Sequence, residues 1–226
     1  MATRARERLS WASERWCELA FRLEADRAQF VGADPLEERS RPEVAARVRA
    51  FFGLPLPYRQ RASLAEFVAA SAEAAPQFRW TPAANLHLTV RFIGSVDRTL
   101  VEDIADRIAD RGPSGFDLEL GILGTFKRGR LVRVVWLGLR SGLEPMARLA
   151  GQVEEECVKV GLPAEKRPFR AHLTLARARA RDGATLPTLP PAPKLAPWRA
   201  DELVLYSSQL GRTGAVYEPL GVVKLN

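Results

Sequence analysis

Two short runs constrain this chain more than anything else in it. Residues 86–93 read Leu-His-Leu-Thr-Val-Arg-Phe-Ile and residues 169–176 read Phe-Arg-Ala-His-Leu-Thr-Leu-Ala. The histidines within them, His87 and His172, are the only two among 226 residues. Both runs are short and rich in branched or aromatic residues, which favours strands. Side chains alternate along a strand, so His87, Thr89 and Arg91 share one face, opposite Leu88, Val90 and Phe92. His172 and Thr174 repeat the pattern opposite Leu173 and Leu175. The fold must therefore contain two strands that each offer one face to a core and hold an imidazole and a hydroxyl on the other. Core packing gives no reason for the same phrase twice and no histidine elsewhere. The pair reads as an active site.

The remaining pattern surrounds these strands with α+β elements. Residues 48–57 (Val-Arg-Ala-Phe-Phe-Gly-Leu-Pro-Leu-Pro) form a strand ended by prolines, which cannot donate to a ladder. A helix capped by Ser63 carries Leu64, Phe67 and Val68 inward and stops before Pro76. Leu100, Val101, Ile104 and Ile108 mark a second helix over 97–111, ended by Gly112-Pro113. Strands at 116–126 and 132–139 enclose a basic turn with Lys127, Arg128 and Arg130. Met146, Leu149, Val153, Cys157 and Val160 form the stripe of a third helix. After the second histidine run, five prolines between 186 and 198 make a loop. Residues 203–210 and 216–225 then close as an antiparallel hairpin. Each half of this order pairs a helix with a His-Leu-Thr strand, a rough twofold repeat.

Residues 1–45 read as an appendage: an amphipathic helix over 9–30, then a charged, proline-interrupted stretch. The body is residues 46–226, in two lobes. No run of about 18 uncharged apolar residues exists, so no membrane span is expected; the Arg- and Glu-studded start lacks the apolar core of a secretory signal, and the cytoplasm is the expected location. Cys17 and Cys157 lie far apart, without the grouping of a zinc site or disulfide framework. The net charge of +7 is uneven. Residues 1–45 hold eight Arg against nine Asp and Glu, whereas the remainder sets 26 basic residues against 18 acidic ones. A basic body favours an anionic partner.

Two imidazoles and two hydroxyls exclude several chemistries. A catalytic zinc takes three protein ligands, and no carboxylate accompanies either phrase at ligand spacing. A serine triad needs one imidazole and a nucleophile elbow, and phosphate-loop and dinucleotide fingerprints are missing. A paired general acid and base remains. An imidazole with an ordinary pKa of about 6.5 can play either part near neutrality. Attack on a phosphodiester fits: one histidine takes a proton from the nucleophile, the other gives one to the leaving oxygen, and hydroxyl or Arg donors hold the phosphoryl oxygens.

The doubled His-x-Thr phrase resembles the two-histidine phosphoesterase superfamily. The stretches at 51–57, 85–94, 134–138, 169–177 and 205–208 are similar to its RNA 2′,3′-cyclic phosphodiesterase branch, also called 2′-5′ RNA ligase. Residues 1–45 depart from the pattern. The resemblance implies a bilobal α+β fold, two antiparallel sheets with flanking helices around a central cleft. It implies opening of an RNA 2′,3′-cyclic phosphate to a 2′-phosphate without metal or cofactor, with reversible 2′-5′ ligation beside it. Carried over by position, His87 is the proton donor and His172 the proton acceptor, roles that could be exchanged. Thr89, Thr174 and Arg177 bind phosphate, although simple alternation puts Arg177 on the face opposite His172 unless the strand twists there. Phe52, or failing it Phe51, is the candidate for stacking on a base, and Lys127, Arg128, Arg130 and Arg170 for backbone phosphates. The partner is an RNA or oligonucleotide with a 2′,3′-cyclic phosphate end, met by a monomer. Two other readings compete: a phosphodiesterase acting on a small cyclic phosphate such as an ADP-ribose derivative, and a two-lobed RNA-binding module without turnover.

Overall fold

A computed structural model describes residues 46–226 except 212 and 213. The helix expected over 9–30 lies outside the described residues. Strand β1 (Arg47–Pro55) leads through Pro57 into helix α1 (Tyr58–Ala74), then β2 (Phe78–Trp80) and a 3₁₀ turn, Ala83–Asn85. Next come strand β3 (His87–Asp97), helix α2 (Arg98–Asp110), strands β4 (Phe116–Arg128) and β5 (Leu131–Ser141) and helix α3 (Leu143–Lys159). The second histidine strand is β6 (His172–Ala178), succeeded by β7 (Trp198–Ala200), β8 (Glu202–Gly211) and β9 (Gly214–Lys224).

Local chemistry explains most boundaries. Pro57 directly precedes the first helical residue, so α1 begins six residues earlier than a cap at Ser63 would set it, and Ser63 lies exposed inside the helix. A proline suits that place because its fixed φ and missing N–H cost a helix start nothing. Gly142 enters α3 with φ of 84°, and a Cβ there would sit 2.7 Å from the Asp117 carbonyl oxygen. Only glycine meets both demands.

The two antiparallel sheets implied by the resemblance are continuous. Among the described residues nine strands form one sheet: eight follow the hydrogen-bonded path β7-β4-β5-β6-β3-β1-β8-β9, and β2 pairs with β6 off that path. Four strands of the path lie on each side of the β6-β3 junction. That junction is a single register pair, Leu88 opposite Leu173. Helices α2 and α3 pack on each other and on β1, β3 and β9, while α1 packs on β2. One buried cluster runs through both halves, from Leu54 and Leu88 to Leu137 and Leu173. The histidines occupy the opposite face of the sheet.

Candidate active site

The site is built symmetrically about the Leu88–Leu173 seam. Extending that register one residue each way sets His87 opposite Thr174 and Thr89 opposite His172. In regular ladder geometry the two histidines are then diagonal neighbours, roughly 7–8 Å apart. They are close enough that charge on His172 lowers the pKa of His87.

Both strands break their alternation at the same place. On β3, Thr89 pairs with Gly53 and Arg91 with Phe52, leaving Val90 as an extra residue. On β6, Thr174 pairs with Trp136 and Ala176 with Val135, leaving Leu175 extra. Each bulge thus falls three residues after its histidine and exchanges the faces of the residues beyond it. The exchange brings Arg177 to the histidine face, where its charge depresses the pKa of both imidazoles. It also overturns the expectation for β3. Arg91 turns to the helix side, where its Nε meets Glu154 at 2.5 Å and a terminal nitrogen donates to the Pro163 carbonyl at 2.7 Å. Phe92 comes to the cleft face instead, 58% exposed.

The rings are held alike. His87 Nδ1 donates to the Asn85 carbonyl and His172 Nδ1 to the Arg170 carbonyl, each at 2.8 Å and each two residues upstream. A carbonyl only accepts, so Nδ1 carries the hydrogen and Nε2 of a neutral ring is the free basic nitrogen. The Thr89 hydroxyl donates to His87 Nε2 at 3.0 Å. Burial pushes the His87 imidazole down to about 4, against the raising effect of the Asn85 carbonyl. His172 is lowered too, chiefly by burial.

Aromatic rings supply that dry environment. Phe51 packs on His87 at 4.7 Å between centroids and stacks on Tyr206 at 5.1 Å, and Tyr217 meets the His87 ring edge-on at 5.2 Å. On the other side Phe126 meets His172 at 5.1 Å and Trp136 at 5.3 Å. Trp136 lies flat over two glycines, since a Cβ on Gly124 would sit 2.3 Å from its ring and one on Gly138 2.9 Å. Tyr206, Tyr217 and Phe126 escape sequence reasoning because cross-strand register alone brings them to the histidines. Glycine two residues after Trp136 is the one local sign of a ring lying on the sheet.

Phe52 is corrected. It is wholly buried in the helix-side core and offers no face to a base, because its place in β1 alternates with Phe51. Phe51 does face the histidines but is 1% exposed beneath the tyrosines. Lys127, Arg128, Arg130 and Arg170 are exposed, and Arg128 meets Asp182 at 2.7 Å. Cys157 is a buried free thiol that burial pushes up to about 11, so it is inert. Among the described residues no group of three His, Cys, Asp or Glu could hold a metal, and no helix is long and apolar enough to cross a membrane.

Gly53 gives the His87 ring its room. A Cβ there would lie 3.2 Å from His87 Cδ2 and 3.1 Å from the Leu88 carbonyl oxygen. Gly53→Ala must displace the ring by a few tenths of an ångström. The expected result is a kcat about tenfold lower with little change in melting temperature, because misplacement by about 1 Å can cost 10²-fold. An unaltered kcat would show that the ring position is not critical.

Comparison with known proteins agrees with this geometry. The sequence profile of the 2′-5′ RNA ligase superfamily matches residues 54–212. An RNA 2′,3′-cyclic phosphodiesterase of Escherichia coli is 33% identical over 177 residues, 76% of this chain and 93% of that protein. Its counterpart from Aeropyrum pernix is 36% identical over 149 residues, 62% of this chain and 82% of that one. The crystal structure of Escherichia coli LigT complexed with 3′-AMP superposes with a TM-score of 0.67 at 29% identity, covering 80% of this chain and 99% of that one. With the profile spanning most of its length and two His-x-Thr strands meeting across one cleft, this chain belongs to the 2′-5′ RNA ligase superfamily.

Proposed function

We propose that the protein hydrolyses the 2′,3′-cyclic phosphate at an RNA end to a 2′-phosphate, using His87 as general acid and His172 as general base. The observation that carries this reading is the matched pair of imidazoles, each tied at Nδ1 to a carbonyl and each left with Nε2 toward the cleft. His172 Nε2 takes a proton from water as the water oxygen bonds to phosphorus. The bond from phosphorus to the 3′ oxygen breaks, and protonated His87 delivers its Nε2 proton to that oxygen. Thr89 and Thr174 donate to phosphoryl oxygens, and Arg177 offsets the charge that builds on them. In the free protein the Thr89 hydroxyl donates to His87 Nε2; protonation of the ring releases that hydroxyl for the phosphate. Both proton transfers are served by imidazole, so no step calls for a metal or a nucleotide cofactor. One chain supplies both histidines, which suits a monomer, and an RNA substrate suits a cytoplasmic location.

The direct experiment incubates the purified chain with an oligoribonucleotide ending in a 2′,3′-cyclic phosphate, with a chelator and without nucleoside triphosphate. Release of a 2′-phosphate end is expected. A chelator-sensitive rate, or RNA binding without any product, would overturn the reading.

The pH dependence comes from the burial of the two rings. Activity needs one imidazole charged and the other neutral, so kcat/KM rises through the lower and falls through the higher of two macroscopic values of the free protein. Both rings are displaced downward, His87 to about 4. Both limbs of the kcat/KM bell are therefore expected below pH 6.5. A bound phosphodiester anion favours the charged ring, so the kcat bell shifts to higher pH. A kcat/KM still rising between pH 7 and 8 would contradict the assignment.

A further inference from the structure

Strand β2 brings a residue to the cleft face that neither histidine phrase contains. Arg79 stands directly opposite Arg177 in the β2-β6 ladder. Its neighbours in β2 look the other way: Phe78 is buried, and Trp80 packs on Phe67 and donates its indole N–H to the Ala75 carbonyl. Arg79 and Arg177 are both exposed, and among the described residues neither meets a carboxylate. Like charges directly opposite on one face of a ladder repel. Such a pair is relieved by bound phosphate groups, which guanidinium groups hold in a planar, bidentate manner.

Position defines which anion. Arg177 lies three residues beyond Thr174, one of them taken up by the bulge, so roughly 7–10 Å along the strand. Arg79 lies on the β2 side of Arg177, where β2 continues the edge that β3 occupies at the seam. That distance is one a single nucleotide of extended backbone can span. We propose that Arg79 binds the phosphodiester one nucleotide 5′ of the terminal cyclic phosphate, with Arg177 beside it left to that terminal phosphate, and so makes the protein select RNA ends over cyclic mononucleotides. This rests on the function proposed above.

The test compares the full chain with Arg79→Ala, Arg79→Gln and Arg79→Lys on two substrates, a 2′,3′-cyclic mononucleotide and a short oligoribonucleotide with the same terminal group. The ratio of kcat/KM for the oligonucleotide to that for the mononucleotide is expected to fall about tenfold in the alanine and glutamine variants, with partial recovery in the lysine variant. The dependence of log kcat/KM on log salt for the oligonucleotide should flatten by about 0.7, the share of one contact to a single strand. A folding defect lowers both substrates together and leaves the ratio alone, so an unchanged ratio overturns the proposal. Should the unaltered chain turn over neither substrate, the proposed function falls separately. Arg79 is then judged by titrating an oligoribonucleotide with a 2′-phosphate end: affinity about tenfold weaker in Arg79→Ala upholds the contact, and equal affinity refutes it.

Discussion

His87→Ala and His172→Ala are each expected to lower the rate of cyclic-phosphate hydrolysis by about 10²- to 10⁴-fold, the contribution of a positioned general acid or base. The two losses should not multiply. In the proposed mechanism acid and base act on one phosphorus in one step, so the double variant is expected to be little worse than the poorer single one, as groups acting as a unit are strongly non-additive. Their pH profiles separate the roles. Removing the acid abolishes the limb on which rate falls with pH, and removing the base abolishes the limb on which it rises. With His87 as acid, His87→Ala keeps the rising limb alone. The reverse pattern would exchange the roles, and either variant keeping more than a tenth of the rate would remove that histidine from the chemistry. Substrate binding should change little, because the proposed phosphate contacts from Thr89, Thr174 and Arg177 remain.

Legibility in the residues divides along one physical line. The His-x-Thr strands, the three amphipathic helices and the last hairpin come from period and punctuation, which are local properties. Register is not local. The bulges at Val90 and Leu175 depend on how β1 and β5 meet the histidine strands. Strict alternation therefore sends Arg91 to the cleft and leaves Arg177 without a route to it, and the opposite holds in both cases. Phe51 and Phe52 show the same limit: adjacent aromatics in one strand differ only in the face they take, and which is core depends on which neighbours cover it. Tyr206 and Tyr217 reach His87 from strands more than a hundred residues away in sequence. The bulges recur at matching positions of the two phrases, so the twofold repeat seen in the letters extends to a backbone irregularity that the letters do not spell out.

Leu88→Ala is expected to destabilise the protein by about 3 kcal/mol, more than a hundredfold in the ratio of folded to unfolded chains. Leu88 is wholly buried, and with Leu173 it forms the one register pair that joins the two halves of the sheet. Its side chain belongs to a cluster containing Leu54 from one half and Leu137 from the other, so truncation opens a cavity where both halves share their core. Leu173→Ala should cost a similar amount, because that residue occupies the matching place across the seam. Denaturant unfolding monitored by far-ultraviolet circular dichroism and by activity distinguishes one cooperative body from two lobes that fold alone. In a single body the midpoints of the two signals fall together, by an equal shift. If instead activity vanished while the unfolding midpoint stayed in place, the seam would serve only to align the histidines, and the continuity of the core across it would have no thermodynamic weight.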